Sequence, residues 1–218
     1  MRTMKQLLQE SITPEKALEL LQNGNKRFVN NLHVNRNLLQ QVNETSEGQF
    51  PFSVILSCID SRTSAELVFD QGLGDVFSIR IAGNILNEDI LGSMEYACKV
   101  VGAKLIVVLG HTKCGAVQSA ADNFKMGNIT SLLSKLKPAI DAETTEREER
   151  NSSNHSFISK VSCLNVKHTI NQVVAQSPIL MEMVKEGKLG VVGGMYDIDN
   201  GSVEFYEDNM ILRDKISF

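Results

Sequence analysis

Five consecutive apolar residues, Leu105-Ile106-Val107-Val108-Leu109, most restrict what this chain can fold into. With no polar face, a strand of this kind has to be covered on both sides, the condition of a central strand in a parallel sheet. The flanking patterns agree. Residues 52–57 form a first apolar strand, after which Thr63-Ser64 can cap a helix holding Leu67, Val68 and Phe69, with Gly72 as its stop. A second strand spans 76–81 and closes on Ala82-Gly83-Asn84. Ile90, Met94, Ala97 and Val101 then recur at helical spacing ahead of Gly102. The third strand spans 104–109, and a helix over 115–126 follows. This alternation predicts the α/β class: a mainly parallel central sheet flanked by helices.

The two ends differ from that centre. Thr13-Pro14-Glu15 is a helix start, with a capping hydroxyl, proline in the first turn and an acid at the positive end of the dipole. Ala17, Leu18, Leu21 and Phe28 give that helix an apolar stripe. Residues 30–49 are rich in Asn and Gln and read as an extended arm, whose isolated apolar side chains are expected to lie across a neighbour, with another subunit as the candidate. Beyond the third strand, 129–176 reads as mostly helical, interrupted at Pro138 and over the charged run 143–156, a solvated helix end and loop. Ser177-Pro178 caps a short helix that stops at Gly187. Residues 190–198 and 202–206 then form a hairpin around Asn200-Gly201, an antiparallel extension of the sheet.

No repeat or linker divides the 218 residues, so a single domain is expected over 1–218, with an N-terminal helical arm (1–48) and an α/β core (49–218). A net charge of -4, with no basic cluster longer than Lys26-Arg27, argues against a nucleic-acid partner. No apolar run approaches the roughly 18 residues of a membrane span. The first residues lack the pattern of a secretory leader. The expected compartment is the cytoplasm, where the four cysteines read as reduced thiols or metal ligands rather than a disulfide framework.

Cys58 and His111 each follow an apolar strand. In open parallel sheets, ligands bind outside the carboxyl ends of the strands. Cys114 comes three residues after His111, at a helix start that favours thiolate. Two thiolates and an imidazole suit zinc, and three protein ligands leave a fourth position open. Asp60 and Arg62 lie two and four residues beyond Cys58. Three roles remain open for Asp60: fourth ligand, partner of Arg62 accepting a hydrogen bond from zinc-bound hydroxide, or half of a surface ion pair. Cys98 and Cys163 sit in apolar helical patterns and read as core residues.

Four stretches, C-I-D-S-R at 58–62, E-L-V-F-D-Q-G-L-G-D-V-F-S-I-R-I-A-G-N at 66–84, G-S-M-E-Y-A at 92–97 and G-H-T-K-C-G-A-V at 110–117, together resemble the beta class of carbonic anhydrases. The resemblance is close over 49–118 and holds in element order beyond. It implies a zinc-dependent α/β fold with one ion per chain, reversible hydration of CO2 to bicarbonate, and a dimer or dimer of dimers. It assigns Cys58, His111 and Cys114 to the metal and Asp60 with Arg62 to a catalytic dyad. Gln49 is implied to help bind substrate. Phe77 and Tyr96 match wall positions supplied by the neighbouring subunit, and Ala82 and Gly115 match positions near the substrate. The chain has no tryptophan, which bicarbonate-inhibited bacterial members use in a non-catalytic bicarbonate pocket, so the resemblance does not extend to that pocket. Two rival functions share some of these residues: a CS2 or COS hydrolase on the same scaffold, and a non-catalytic zinc or thiol module.

Overall fold

The computed structural model describes residues 3–215. Three helices precede the sheet: α1 (Gln6–Ser11), α2 (Pro14–Val29) and α3 (Leu38–Thr45). Thr13 caps α2 as its position predicts, its hydroxyl accepting from the Lys16 N–H at 3.2 Å. The arm is not extended throughout, which corrects the reading of 30–49. Asn37 Oδ1 accepts from the Gln40 N–H at 3.0 Å and opens α3. Nor does the arm hang free of its own core. Arg36 lays its guanidinium on the Asp70 carboxylate, Arg27 adds a second pair to that group, and Gln41 Oε1 accepts from the Leu73 N–H at 3.2 Å.

Five strands follow, β1 (Ser53–Ser57), β2 (Val76–Arg80), β3 (Leu105–His111), β4 (Gly190–Tyr196) and β5 (Val203–Phe205), in the spatial order β2-β1-β3-β4-β5. The first four are parallel and β5 returns antiparallel to β4. β1 and β3 are buried throughout, as their uninterrupted apolar runs require. Their side chains divide between two cores. Val54, Leu56, Ile106 and Val108 enter one cluster, and Ile55, Leu105, Val107 and Leu109 enter the other. β3 runs two residues past its expected end at 109, so His111 is itself a strand residue. Among the described residues the edge strand β2 pairs only with β1.

The remaining helices are α4 (Ala65–Val68), α5 (Glu88–Glu95), α6 (Gly115–Ala121), α7 (Gly127–Ser134), α8 (Lys137–Ala142), α9 (His155–Gln176) and α10 (Pro178–Lys185). A π-helical turn, Tyr96–Val100, continues α5. α6 stops short of the expected 126 because Asn123 takes a left-handed conformation, φ 53°. Pro138 marks the expected break in the helical stretch, with α7 ending at Ser134 and α8 beginning at Lys137. It sits in the first turn of α8, where a missing N–H costs nothing. The run 143–156 is a mostly solvated loop leading into the start of α9, as expected, with one exception. Glu143 is buried, accepts from the Glu146 N–H at 3.1 Å and pairs with Arg150, which stacks 4.6 Å over Phe157. Cys98 is in the core as expected, whereas Cys163 is only half-buried and its sulfur accepts from the Tyr206 hydroxyl at 3.1 Å. α9 lies close over β3 and β4. A Cβ added to Gly110 or to Gly193 would stand 2.6 Å from Val166, so glycine at both positions sets the depth at which the helix seats. Among the described residues no helix is long and apolar enough to cross a membrane.

Candidate metal centre

The chain leaves β1 toward β2 on one side, and β3 stands on the other. The carboxyl ends of β1 and β3 therefore border the switch point of the sheet. Cys58 is the first residue after β1 and His111 the last of β3. Between His111 and α6, Lys113 turns the backbone through a left-handed conformation, φ 56°, and brings Cys114 back beside both. The result is one buried group of three ligand atoms, all within 4.8 Å of one another. The two sulfurs are 4.0 Å apart.

This geometry fits a tetrahedral ion. Zinc–sulfur bonds of about 2.3 Å at tetrahedral angles would place two sulfurs ~3.8 Å apart. The imidazole is also poised. His111 Nδ1 donates to the Thr112 carbonyl at 2.9 Å, which fixes the tautomer and leaves Nε2 as the ligating atom. Among the described residues the buried Nε2 has no hydrogen-bond partner, a cost that a bound cation would remove. The thiols behave as a pair competing for one proton. Cys58 is pushed down because Cys114 donates to it, against the opposing effect of burial, with the Gly83 N–H adding to the lowering. Cys114 is pushed up because it keeps the proton shared with Cys58, and its burial adds to this. The N–H groups of Val117 and Ala116 only partly oppose the rise. An ion between the sulfurs favours thiolate at both.

Just beyond Cys58 in the chain, Arg62 grips Asp60 with a two-pronged contact. Arg62 Nε donates to Oδ1 at 2.9 Å and Nη2 to Oδ2 at 2.7 Å, while the Arg62 N–H adds a third bond to Oδ1 at 3.0 Å. These contacts, opposed by partial burial, hold the Asp60 carboxyl well below the usual range, so it is ionised. Asp60 is not a member of the three-residue ligand group. The loop that carries it is fastened by Arg80 Nε donating to the Cys58 carbonyl at 3.1 Å and by the Thr63 hydroxyl donating to the Asp60 carbonyl at 2.9 Å. Arg80 was not singled out in the sequence. It lies within the I-R-I-A-G-N stretch, and only the pairing of β2 with β1 shows what it braces.

The other positions are dispersed. Ala82 adjoins Gly83, whose N–H donates to Cys58 Sγ at 3.4 Å, and Gly115 follows Cys114 with open space around its Cα. Both border the cluster. Gln49 does not: it is exposed before the amino end of β1, whereas Cys58 follows the carboxyl end, at least ~16 Å along the strand. Phe77 and Tyr96 line an open groove of about 650 Å³ between β2 and α5.

A parallel α/β sheet with a buried Cys2His group at its switch point defines the class of protein this is. The family follows from comparison. The family described as carbonic anhydrase matches residues 53–203. Carbonic anhydrase 2 of Mycobacterium tuberculosis is 34% identical over 210 residues, covering 93% of this chain and 94% of the relative. A solved beta-carbonic anhydrase of Aspergillus fumigatus superposes with a TM-score of 0.69 at 26% identity, over 78% of this chain and 81% of its own. A structure from a study of two tetrameric beta-carbonic anhydrases of Sordaria macrospora gives 0.64 at 26% identity, over 77% and 89%. This chain belongs to the carbonic anhydrase family, in its beta class.

Proposed function

We propose that the chain catalyses the reversible hydration of CO2 to bicarbonate and a proton, with one zinc ion held by Cys58, His111 and Cys114. The observation that carries this reading is the buried His111 Nε2, partnerless among the described residues, converging with two sulfurs, with an ionised Asp60 two residues beyond Cys58. When bound, zinc supplies Lewis acidity that makes hydroxide available near neutral pH, although two thiolates temper that effect. The chain's own residues do the rest. Arg62 fixes the Asp60 carboxylate, and Asp60 accepts a hydrogen bond that aims a lone pair of the attacking oxygen at CO2. Both Asp60 oxygens are held by Arg62, so in this arrangement Asp60 would orient a proton-bearing group beside the ion and would not itself serve as a ligand. If that grip is released, Asp60 itself can close the fourth position, as a ligand in an inactive state.

Gln49, Phe77 and Tyr96 serve substrate across a subunit boundary in this proposal. Gln49 is at the wrong end of β1 to reach its own Cys58, and Tyr96 is 55% exposed. Leu7, Leu8, Leu38 and Leu39, exposed on α1 and α3, give a second copy an apolar surface to cover, so the working unit is a dimer or a dimer of dimers. Stopped-flow CO2 hydration across pH, with zinc per chain measured on the same sample, tests the activity. Zinc-loaded protein without CO2 hydration at mildly alkaline pH would sink it. Hydrolysis of CS2 in a parallel assay, with CO2 left untouched, would reassign the substrate.

A further inference from the structure

One buried amide close to the metal cluster is not explained by packing. Asn165 is 2% exposed in the middle of α9, and a buried amide is retained only where it finds partners. Its Nδ2 donates to the Gly83 carbonyl at 2.8 Å. The Gly83 N–H in turn donates to Cys58 Sγ at 3.4 Å. Gly83 is left-handed, φ 69° and ψ 16°, and glycine moves between conformations at little cost. A residue with that freedom does not aim its own N–H. The clamp on its carbonyl comes from a helix whose seating is set elsewhere, by the approach of Val166, the next residue along, to Gly110 and Gly193. Gly110 immediately precedes His111. The same contact therefore references both Gly83 and the imidazole to β3.

Resting on the zinc reading above, we propose that Asn165 is a positioning residue for the metal centre: by holding the Gly83 carbonyl it keeps the Gly83 N–H on Cys58 Sγ. A hydrogen bond to a ligating thiolate withdraws electron density from the sulfur and leaves more positive charge on the ion. In a site with two thiolates, that withdrawal offsets part of the charge they donate.

The test uses the full chain loaded with Co2+, whose sulfur-to-metal charge-transfer band reports electron density on the sulfurs independently of turnover. Asn165→Leu removes the donor at similar volume. Thr169→Val, one turn along α9 and equally buried at 2%, controls for the loss of a buried polar group. In Asn165→Leu the band moves to lower energy and the Gly83 amide exchanges with solvent about tenfold faster, while Thr169→Val moves neither. With zinc, kcat of Asn165→Leu falls on the order of tenfold at unchanged KM. An unmoved band with unchanged Gly83 exchange overturns the proposal, whatever the turnover. Should the leucine variant not fold, Asn165→Ala gives the same two readouts with a cavity in place of the apolar branch. Wild-type protein that shows the band but does not hydrate CO2 removes the catalytic reading and leaves the Asn165 comparison decisive. Wild-type protein that gives no sulfur-to-cobalt band overturns both.

Discussion

At the scale of single residues, the proposed centre separates side chains that would hold an ion from those that would direct chemistry beside it. Cys58, His111 and Cys114 converge without Asp60, and Asp60 is committed to Arg62. Asp60→Asn should therefore retain about one zinc per chain while kcat for CO2 hydration falls by roughly 100-fold or more, the range lost with a group acting directly on a reacting proton. Metal analysis alongside stopped-flow rates checks this, and near-normal turnover in a zinc-loaded variant would remove Asp60 from the chemistry. These residues were legible in the sequence because each sits in a short motif at a strand end. Arg80 and Asn165 were not. Their partners are backbone carbonyls 22 and 82 residues away, and a carbonyl leaves no mark in a sequence.

At the scale of elements, apolar periodicity located the strands and the caps located α2 and α10, because burial on two faces and an orphan N–H both impose residue types. α3 escaped because it lacks a core-facing stripe: Leu38, Leu39 and Val42 are exposed, and buried Gln41 is polar. Within the run 143–156, largely solvated as its charges suggest, Glu143 escaped for a related reason: its carboxylate is enclosed by its own loop. The hydrogen bond from the Thr145 hydroxyl, with the N–H groups of Glu146 and Thr145, holds the Glu143 carboxyl down at about 2, below its ordinary 4.5. A carboxyl depressed by folding contributes stability above its unfolded pKa, and loses that contribution as pH falls from there toward the folded value. Thermal midpoints of the wild type should therefore exceed those of Glu143→Gln above pH ~5 and converge with them toward pH ~2. Parallel curves across that window would show that the loop does not depend on the charge.

At the scale of the whole molecule, the sheet order and the antiparallel β5 agree with the α/β reading, while the proposed assembly rests on what one chain leaves unfinished. Gln49 and Cys58 lie at opposite ends of β1. If Gln49 completes a neighbour's site, subunits of Gln49→Ala and Asp60→Asn, each weakly active alone, should complement when dissociated, mixed and reassembled. Random pairing makes half of the dimers mixed, each with one intact site of two, so activity should recover to about a quarter of wild type. No recovery in demonstrably mixed dimers would return Gln49 to a role within its own chain. The seating of the ligands has a further consequence. Zinc fingers fold around their ion, but Cys58 and His111 are carried by two neighbouring strands already locked in register, Ser57 opposite Leu109, and packed from both faces. The centre is thus a socket, not a rivet. Chelation should abolish activity while leaving circular dichroism unchanged, and added zinc should restore the rate without refolding. On the zinc reading, a chain built this way would keep its fold through loss and return of the metal, and its activity would follow zinc supply with no new protein made.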